Sequence, residues 1–207
     1  NKSKVNLKKK ENIIVFVGKL NSAKGFDIFG EAILKILNKY PKWKSIVIGD
    51  EPREKLIFSH KNLKVLGFQN HSTVLKTFNK SNIAVACSRW EEPFGRTSLE
   101  AASRGCGVII SNRGGLPETI TNGIILRDLN SKSLFLAIED LIIDKDKLKY
   151  LQTQSINNFY LTDKYISNKI DNYRKILIDN FNTNFLRKKI PKLKILHVTN
   201  FNERHNG

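Results

Sequence analysis

Short apolar runs alternate with segments of helical period from residue 13 to about residue 143, an alternation that predicts an α/β fold. Residues 13–17 form a continuous β-branched run that stops at Gly18, as a strand buried on both faces of a parallel sheet should. Phe29, Ala32, Ile33, Ile36, Leu37 and Tyr40 then recur at helical spacing, and Pro41 closes that helix. Further strands are predicted at 45–48, 63–66, 83–87, 108–111 and 124–126. Between them lie a helix from about Ser72 carrying Val74, Leu75 and Phe78, and a short helix ending at Gly105. A further helix from Ser131 presents Leu134, Phe135, Ile138, Leu141 and Ile142. Five or six parallel strands joined by helices specify a Rossmann-like, doubly wound sheet. Ligands bind such sheets outside the carboxyl ends of the strands, so the residues just after each strand are the ones to inspect.

After the first strand runs Gly18-Lys19-Leu20-Asn21-Ser22-Ala23-Lys24-Gly25. Glycine lets backbone approach an anion, a helix start offers unpaired N–H groups, and lysine supplies a point charge for phosphate oxygens. By itself the segment is a weak signal, since a Gly/Lys turn is usually just a solvated turn. The text after the strand at 83–87 is more specific: Glu92-Pro93-Phe94-Gly95-Arg96-Thr97-Ser98-Leu99-Glu100, continuing to Gly105. Glu92 falls in the loop and Glu100 about a turn inside the following helix, so the two carboxylates are suited to different parts of one ligand. The N–H groups around residues 94–97 can face a diphosphate, and Glu100 matches a ribose diol. The plain alternatives are a loop acid at Glu92 and, at Glu100, a helix-surface charge complementing Arg96 or Arg104.

This segment resembles the Glu-x7-Glu signature of the retaining glycosyltransferases of sequence family 4, which adopt the GT-B fold. VGKLNSAKG (17–25), IVIGDEP (46–52), NLKVLGF (62–68) and SNRGGLPE (111–118) resemble other stretches of the family in the same order. The resemblance covers about residues 11–178 and implies the C-terminal, nucleotide-sugar-binding half of a GT-B fold. It implies that Lys19 and Lys24 bind the donor diphosphate next to Gly18, with backbone of Phe94, Gly95 and Arg96 assisting. It places Glu92 on the transferred sugar, Glu100 on the ribose, and Leu66, Gly67 and Phe68 at the base. The family more often has arginine at the position of Lys19, and lysine lacks the planar bidentate fork. The donor is a nucleotide-diphospho-sugar and the acceptor a glycan or lipid-linked molecule; no cofactor or metal is implied. An N-terminal acceptor domain of the same polypeptide would complete the cleft. An epimerase or phosphorylase of GT-B shape shares the architecture without this Glu-x7-Glu setting, and a basic, non-catalytic binding module is the reading from another class.

Composition adds limits. The chain has 207 residues, 40% of them hydrophobic and 27% charged, which is the profile of one folded domain. Nothing approaches the roughly 18 apolar residues of a membrane span, and the first ten residues lack the apolar core of a signal peptide. A cytoplasmic protein is expected. The two cysteines, Cys87 and Cys106, read as buried thiols rather than a disulfide or metal framework. The net charge of +17 invites a polyanion. The lysines, however, are spread along the whole chain beside abundant Asn and Ile, a compositional bias rather than a nucleic-acid-reading face. Peripheral contact with an anionic inner membrane face fits better.

With no methionine, the chain is expected to be a piece of a longer polypeptide. Residues 1–10 are expected as a linker, 11–180 as the nucleotide-sugar-binding domain, and 181–207 as a basic linker and a strand at 193–200 that either opens a following module or joins the edge of this sheet. Within this, Asp163 begins a helix with Ile166, Ile170, Tyr173 and Leu177 on one face.

Overall fold

The β-branched runs pair as parallel strands, and the segments of helical period cover them on both faces. The computed structural model describes residues 5–185, with side chains through residue 181. After a 3-10 turn at Leu7–Lys9 come β1 (Glu11–Val17), a second 3-10 turn (Ser22–Lys24), α1 (Phe26–Lys39), β2 (Lys44–Ile48) and β3 (Leu63–Val65). These are followed by α2 (His71–Lys80), β4 (Ser81–Ala86), α3 (Arg96–Ser103), β5 (Gly107–Ser111), a 3-10 turn (Leu116–Thr119) and β6 (Ile124–Leu126). The described chain ends with α4 (Ser131–Ile143), α5 (Lys145–Asn157) and α6 (Asp163–Phe185).

The six strands form one sheet in the order β3-β2-β1-β4-β5-β6, every neighbouring pair parallel. The strand order reverses between β1 and β4, and a doubly wound sheet opens its ligand crevice at such a point. Alternation within the strands separates two cores. Ile14, Phe16, Ile83, Val85 and Ile109 pack with α1 and α4 residues such as Phe29, Ile33, Leu134 and Ile138. Val15, Ala84, Val108 and Ile110 point the other way, onto Val74 and Phe78 of α2 and Ala101 and Ala102 of α3. On the first face Phe16 lies with its ring centroid 5.4 Å from Phe26 and 5.0 Å from Phe29. Each such ring contributes about 1.5–3 kcal/mol by leaving water.

The described chain divides into two compact units after Tyr160, and α6 belongs to the second. The expected linker at 1–10 is partly built into the first unit: Lys10 donates to the carbonyls of Ser81 (2.7 Å) and Phe78 (3.0 Å). Residues 145–157, given no element by periodicity, form α5, whose buried positions Leu148, Gln152 and Ser155 include only one apolar residue. On α6, Ile166, Ile170, Tyr173 and Leu177 are exposed. The strand expected at 193–200 lies outside the described residues.

Candidate functional site

The loops after β1, β4 and β5 meet at the carboxyl end of the sheet, and backbone geometry determines how. Asn21 opens the Ser22–Lys24 turn by accepting from the Lys24 N–H at 3.0 Å. Gly25 then adopts a left-handed conformation (φ 72°) that ends the turn and starts α1. A Cβ there would lie 1.9 Å from the carbonyl oxygen of Cys87, so only glycine lets the two loops touch. The same crossing is fastened at Ala23, whose carbonyl accepts from the Arg89 N–H (2.9 Å), the Trp90 N–H (3.1 Å) and the Ser88 hydroxyl (3.1 Å). Arg89 reaches back as well, donating to Ser22 O and holding Asp27 with two bonds of 2.6 Å.

On this frame two of the predicted residues meet. Lys24 Nζ forms an ion pair with Glu92 Oε1, with the Glu92 side chain 14% exposed and Lys24 31%. Glu92 is therefore not a free loop acid. A cavity of about 60 Å³ lies at this pair, bordered by Gly18, Lys24, Ser88, Glu92, Thr97 and Leu116. Glu92 is held in place from below by the loop after β5, whose Gly115 N–H donates to the Glu92 carbonyl at 2.7 Å. At Gly114 (φ 51°) a Cβ would come within 2.3 Å of that same carbonyl, which explains the paired glycines of the 111–118 segment. Arg113 and the Gly114 N–H both bind Glu91, at 3.1 and 2.5 Å.

Gly95 precedes α3 and brings no side chain to cap it. The first-turn N–H groups and the positive end of the helix dipole thus lie at the edge of the cavity that Thr97 borders. Inside α3, Glu100 is 19% exposed and accepts from His71 Nε2 at 3.0 Å, with Arg96 Nη2 at 3.5 Å. The alternative of an Arg96 partner is thus real but incomplete. His71, at the start of α2, is a neighbour the sequence reading missed; it is 29 residues away, and no spacing rule connects the two.

Of the other predicted residues, Gly18 borders that cavity, whereas Lys19, Leu66, Gly67, Phe68 and Phe94 are placed at the same end outside its lining. Lys19 is exposed on the loop after β1. Gly18 donates to Ile48 O (3.0 Å), and Gly67 O accepts from the Gly49 N–H (2.9 Å), tying together the ends of β1, β2 and β3. Leu66 donates to Val47 O (2.9 Å) beside them, and Phe68 and Phe94 are exposed at 78% and 40%. Below Asn21, Glu51 accepts from its amide at 3.1 Å and from Arg53 at 2.7 and 3.0 Å; the Arg53 bonds chiefly hold the Glu51 carboxyl down at about 2. Burial pushes the Cys87 thiol up to about 12, so this cysteine beside the site is inert, and both cysteines are buried. Among the described residues no group of three or more His, Cys, Asp or Glu side chains is gathered as a metal site would require.

Comparison with known proteins gives this geometry a setting. Residues 1–158 match the family described as Glycosyl transferases group 1. The chain is 31% identical over 170 residues to spore coat protein SA of Bacillus subtilis (strain 168), covering 72% of this chain and 45% of that protein. The C-terminal domain of a glycosyl transferase group 1 family protein (LpcC) from Francisella tularensis superposes with a TM-score of 0.63 at 25% identity, covering 72% of this chain and 85% of that one. Anabaena Alr3699/HepE in complex with UDP-glucose superposes at a TM-score of 0.63 and 21% identity, covering 72% of this chain and 44% of that one. The last shows the fold alone. The chain spans less than half the length of the curated relatives it matches most strongly.

Proposed function

The chain belongs to the Glycosyl transferases group 1 family, and from that premise we propose that it is the donor-binding half of a retaining, hexosyl-type glycosyltransferase. It binds a nucleotide-diphospho-sugar and passes the sugar to a glycan or lipid-linked acceptor held by a further domain. The observation that carries this reading is the meeting of Lys24, Glu92 and the uncapped start of α3 around one cavity at the strand-order reversal. The complex of Anabaena Alr3699/HepE with UDP-glucose supports it by analogy of fold.

Chemistry follows from where charge develops. Breaking the bond between the sugar and the diphosphate leaves an oxocarbenium-like sugar and a more negative diphosphate, so cations and N–H donors fixed in advance lower the barrier. Lys24 and Lys19 supply the cations and the start of α3 the N–H groups, without need of a resident metal ion. Glu92 neutralises Lys24. Donor binding exchanges that contact: Lys24 turns to phosphate oxygen and Glu92 to sugar hydroxyls, so the pair is kept compensated before and after. Glu100 takes the ribose diol in place of Arg96, with His71 holding its other side. The acceptor hydroxyl attacks on the face the diphosphate leaves, its oxygen bonding to the sugar as the sugar–diphosphate bond breaks and its proton passing to the departing diphosphate oxygen, and no side chain is required as a nucleophile. The reaction belongs on the cytoplasmic side of a membrane.

A melting panel with UDP, GDP and ADP and their sugar conjugates, in EDTA, tests the reading on this chain and on Glu100→Gln. Ligand at about a hundred times its Kd adds roughly 2.7 kcal/mol, which moves a domain this size by some degrees. A base-selective rise that Glu100→Gln loses is expected and names the donor base. A rise unaffected by Glu100→Gln would place the nucleotide elsewhere.

A further inference from the structure

The opposite end of the sheet holds a much larger cavity, about 740 Å³, walled by the segment before β1, the α1–β2 turn, and the α4–α5 junction. That volume is in the range of small-ligand sites, roughly 300–1,000 Å³. The buried Trp43, Leu141, Ile142 and Leu148 back it, and Leu7, Tyr40, Pro41 and Ile143, the last 66% exposed, add the apolar surface that stays open. Six of the lining residues are lysines and none is acidic.

Two of the six lysines are already engaged. Lys10 is bonded to the carbonyls of Phe78 and Ser81, and Lys39 pairs with Glu139 at 2.7 Å. Lys8, Lys42, Lys145 and Lys149 are exposed. The acids of the adjoining stretch are committed elsewhere. Glu139 takes Lys39 and the Tyr40 hydroxyl, Asp140 takes Lys147 (2.6 Å), Asp144 caps α5 through the Lys147 N–H (2.8 Å), and Asp146 complements the α5 dipole from its first turn. Helix dipoles account for lysines near the carboxyl end of α1 but not for Lys145, which sits at the unfavourable, positive start of α5. Four like charges thus stand around an apolar recess whose own lining holds no carboxylate, an arrangement that an anion relieves. An inorganic anion would leave the open apolar surface of Leu7, Tyr40, Pro41 and Ile143 unused.

We propose that this recess binds an anionic phospholipid, its phosphate on Lys42, Lys145 and Lys149 and the start of its acyl chains against Pro41, Ile143 and the edge of Trp43. Basic recesses of this kind suit lipid head groups, and the long lysine stems can lie along apolar wall while their ammonium groups stay at the rim. The site is separate from the donor cavity at the other end of the sheet and does not depend on the donor reading.

The test titrates the full chain with dihexanoyl-phosphatidylglycerol below its aggregation concentration, with glycerol phosphate as the chain-free arm, reading Trp43 fluorescence in a Trp90→Phe background. Saturable binding at least 10-fold tighter than glycerol phosphate is expected. The Lys42→Glu/Lys149→Glu pair should weaken it 10-fold or more. Lys61→Glu/Lys76→Glu changes net charge equally at exposed positions outside the recess and should weaken it less than 2-fold, and Glu100→Gln should leave it unchanged. Melting temperatures of all variants establish that each is folded. Equal losses from both charge-reversed pairs would show a diffuse charge effect and overturn the site. Equal affinity for glycerol phosphate would overturn the lipid as ligand, and no saturable response would overturn both.

Discussion

The two ends of the sheet handle positive charge in opposite ways. At the carboxyl end each of several cations has a carboxylate of its own: Lys24 with Glu92, Arg89 with Asp27, Arg53 with Glu51 and Arg113 with Glu91. At the amino end, Lys8, Lys42, Lys145 and Lys149 ring an apolar recess whose lining includes no acid. The difference separates two kinds of site. Where the ligand carries both a diphosphate and hydroxyls, cation and carboxylate are useful together and neutralise one another while waiting. Where the ligand is only an anion with an apolar body, a built-in carboxylate would compete with it.

Gly25→Ala should break the paired end most severely, because the new Cβ meets the Cys87 carbonyl at a φ of 72°. A loss of about 3 kcal/mol or more is expected in chemical denaturation, since strain and a backbone clash add. Lys24→Ala in the full-length protein should lower kcat about 100-fold or more, as removal of one group stabilising developing charge does. Its melting temperature should change little, because the Lys24–Glu92 pair is partly exposed. A variant losing stability and activity together would show that Lys24 serves the frame rather than the reaction.

Asp27 sharpens the comparison through pH. Burial alone would raise its carboxyl, but the Arg89 hydrogen bonds outweigh that and leave it below its ordinary value. A carboxyl depressed in the folded state contributes stability above its unfolded value, about 3.9, and loses it as pH falls through the folded value. Arg89→Met should flatten that part of the stability–pH curve below about pH 4, an effect of less than about 1 kcal/mol. The smallest change belongs to the unpaired end: Lys42→Gln should alter stability by no more than about 0.5 kcal/mol, with any change a gain from reduced repulsion. A clear loss in thermal melts would mean that Lys42 holds a contact the fold requires.

Most of the fold was legible in the residues because the strands are buried on both faces. Runs such as Ile13-Ile14-Val15-Phe16 and Val108-Ile109-Ile110 carry an unambiguous signal, and their lengths and stops at Gly18 and Ser111 came close to the observed limits. Strand order is not written in any such run. It emerges from the pairing of β1 with both β2 and β4. Helix α5 escaped notice because it buries Gln152 and Ser155, whose bonds to Asn82 and Asn122 substitute for an apolar stripe. In the site, Glu92 and Glu100 were visible as a motif, yet the ion pair with Lys24 spans 68 residues and the His71 contact 29, and only the fold makes either. The lysine recess was hidden for the opposite reason: lysine is so common in this chain that four of them converging left no local trace.

The Ala23 carbonyl, with three donors gathered on one oxygen, bears on time as well as shape. It clamps the loop after β1 to the loop after β4, so neither can fluctuate alone and little conformational entropy is left for an arriving ligand to remove. Capture at such a rim needs no slow folding-in of a lid. Differences between good and poor ligands should therefore be found in how long each stays, with arrival rates nearly alike.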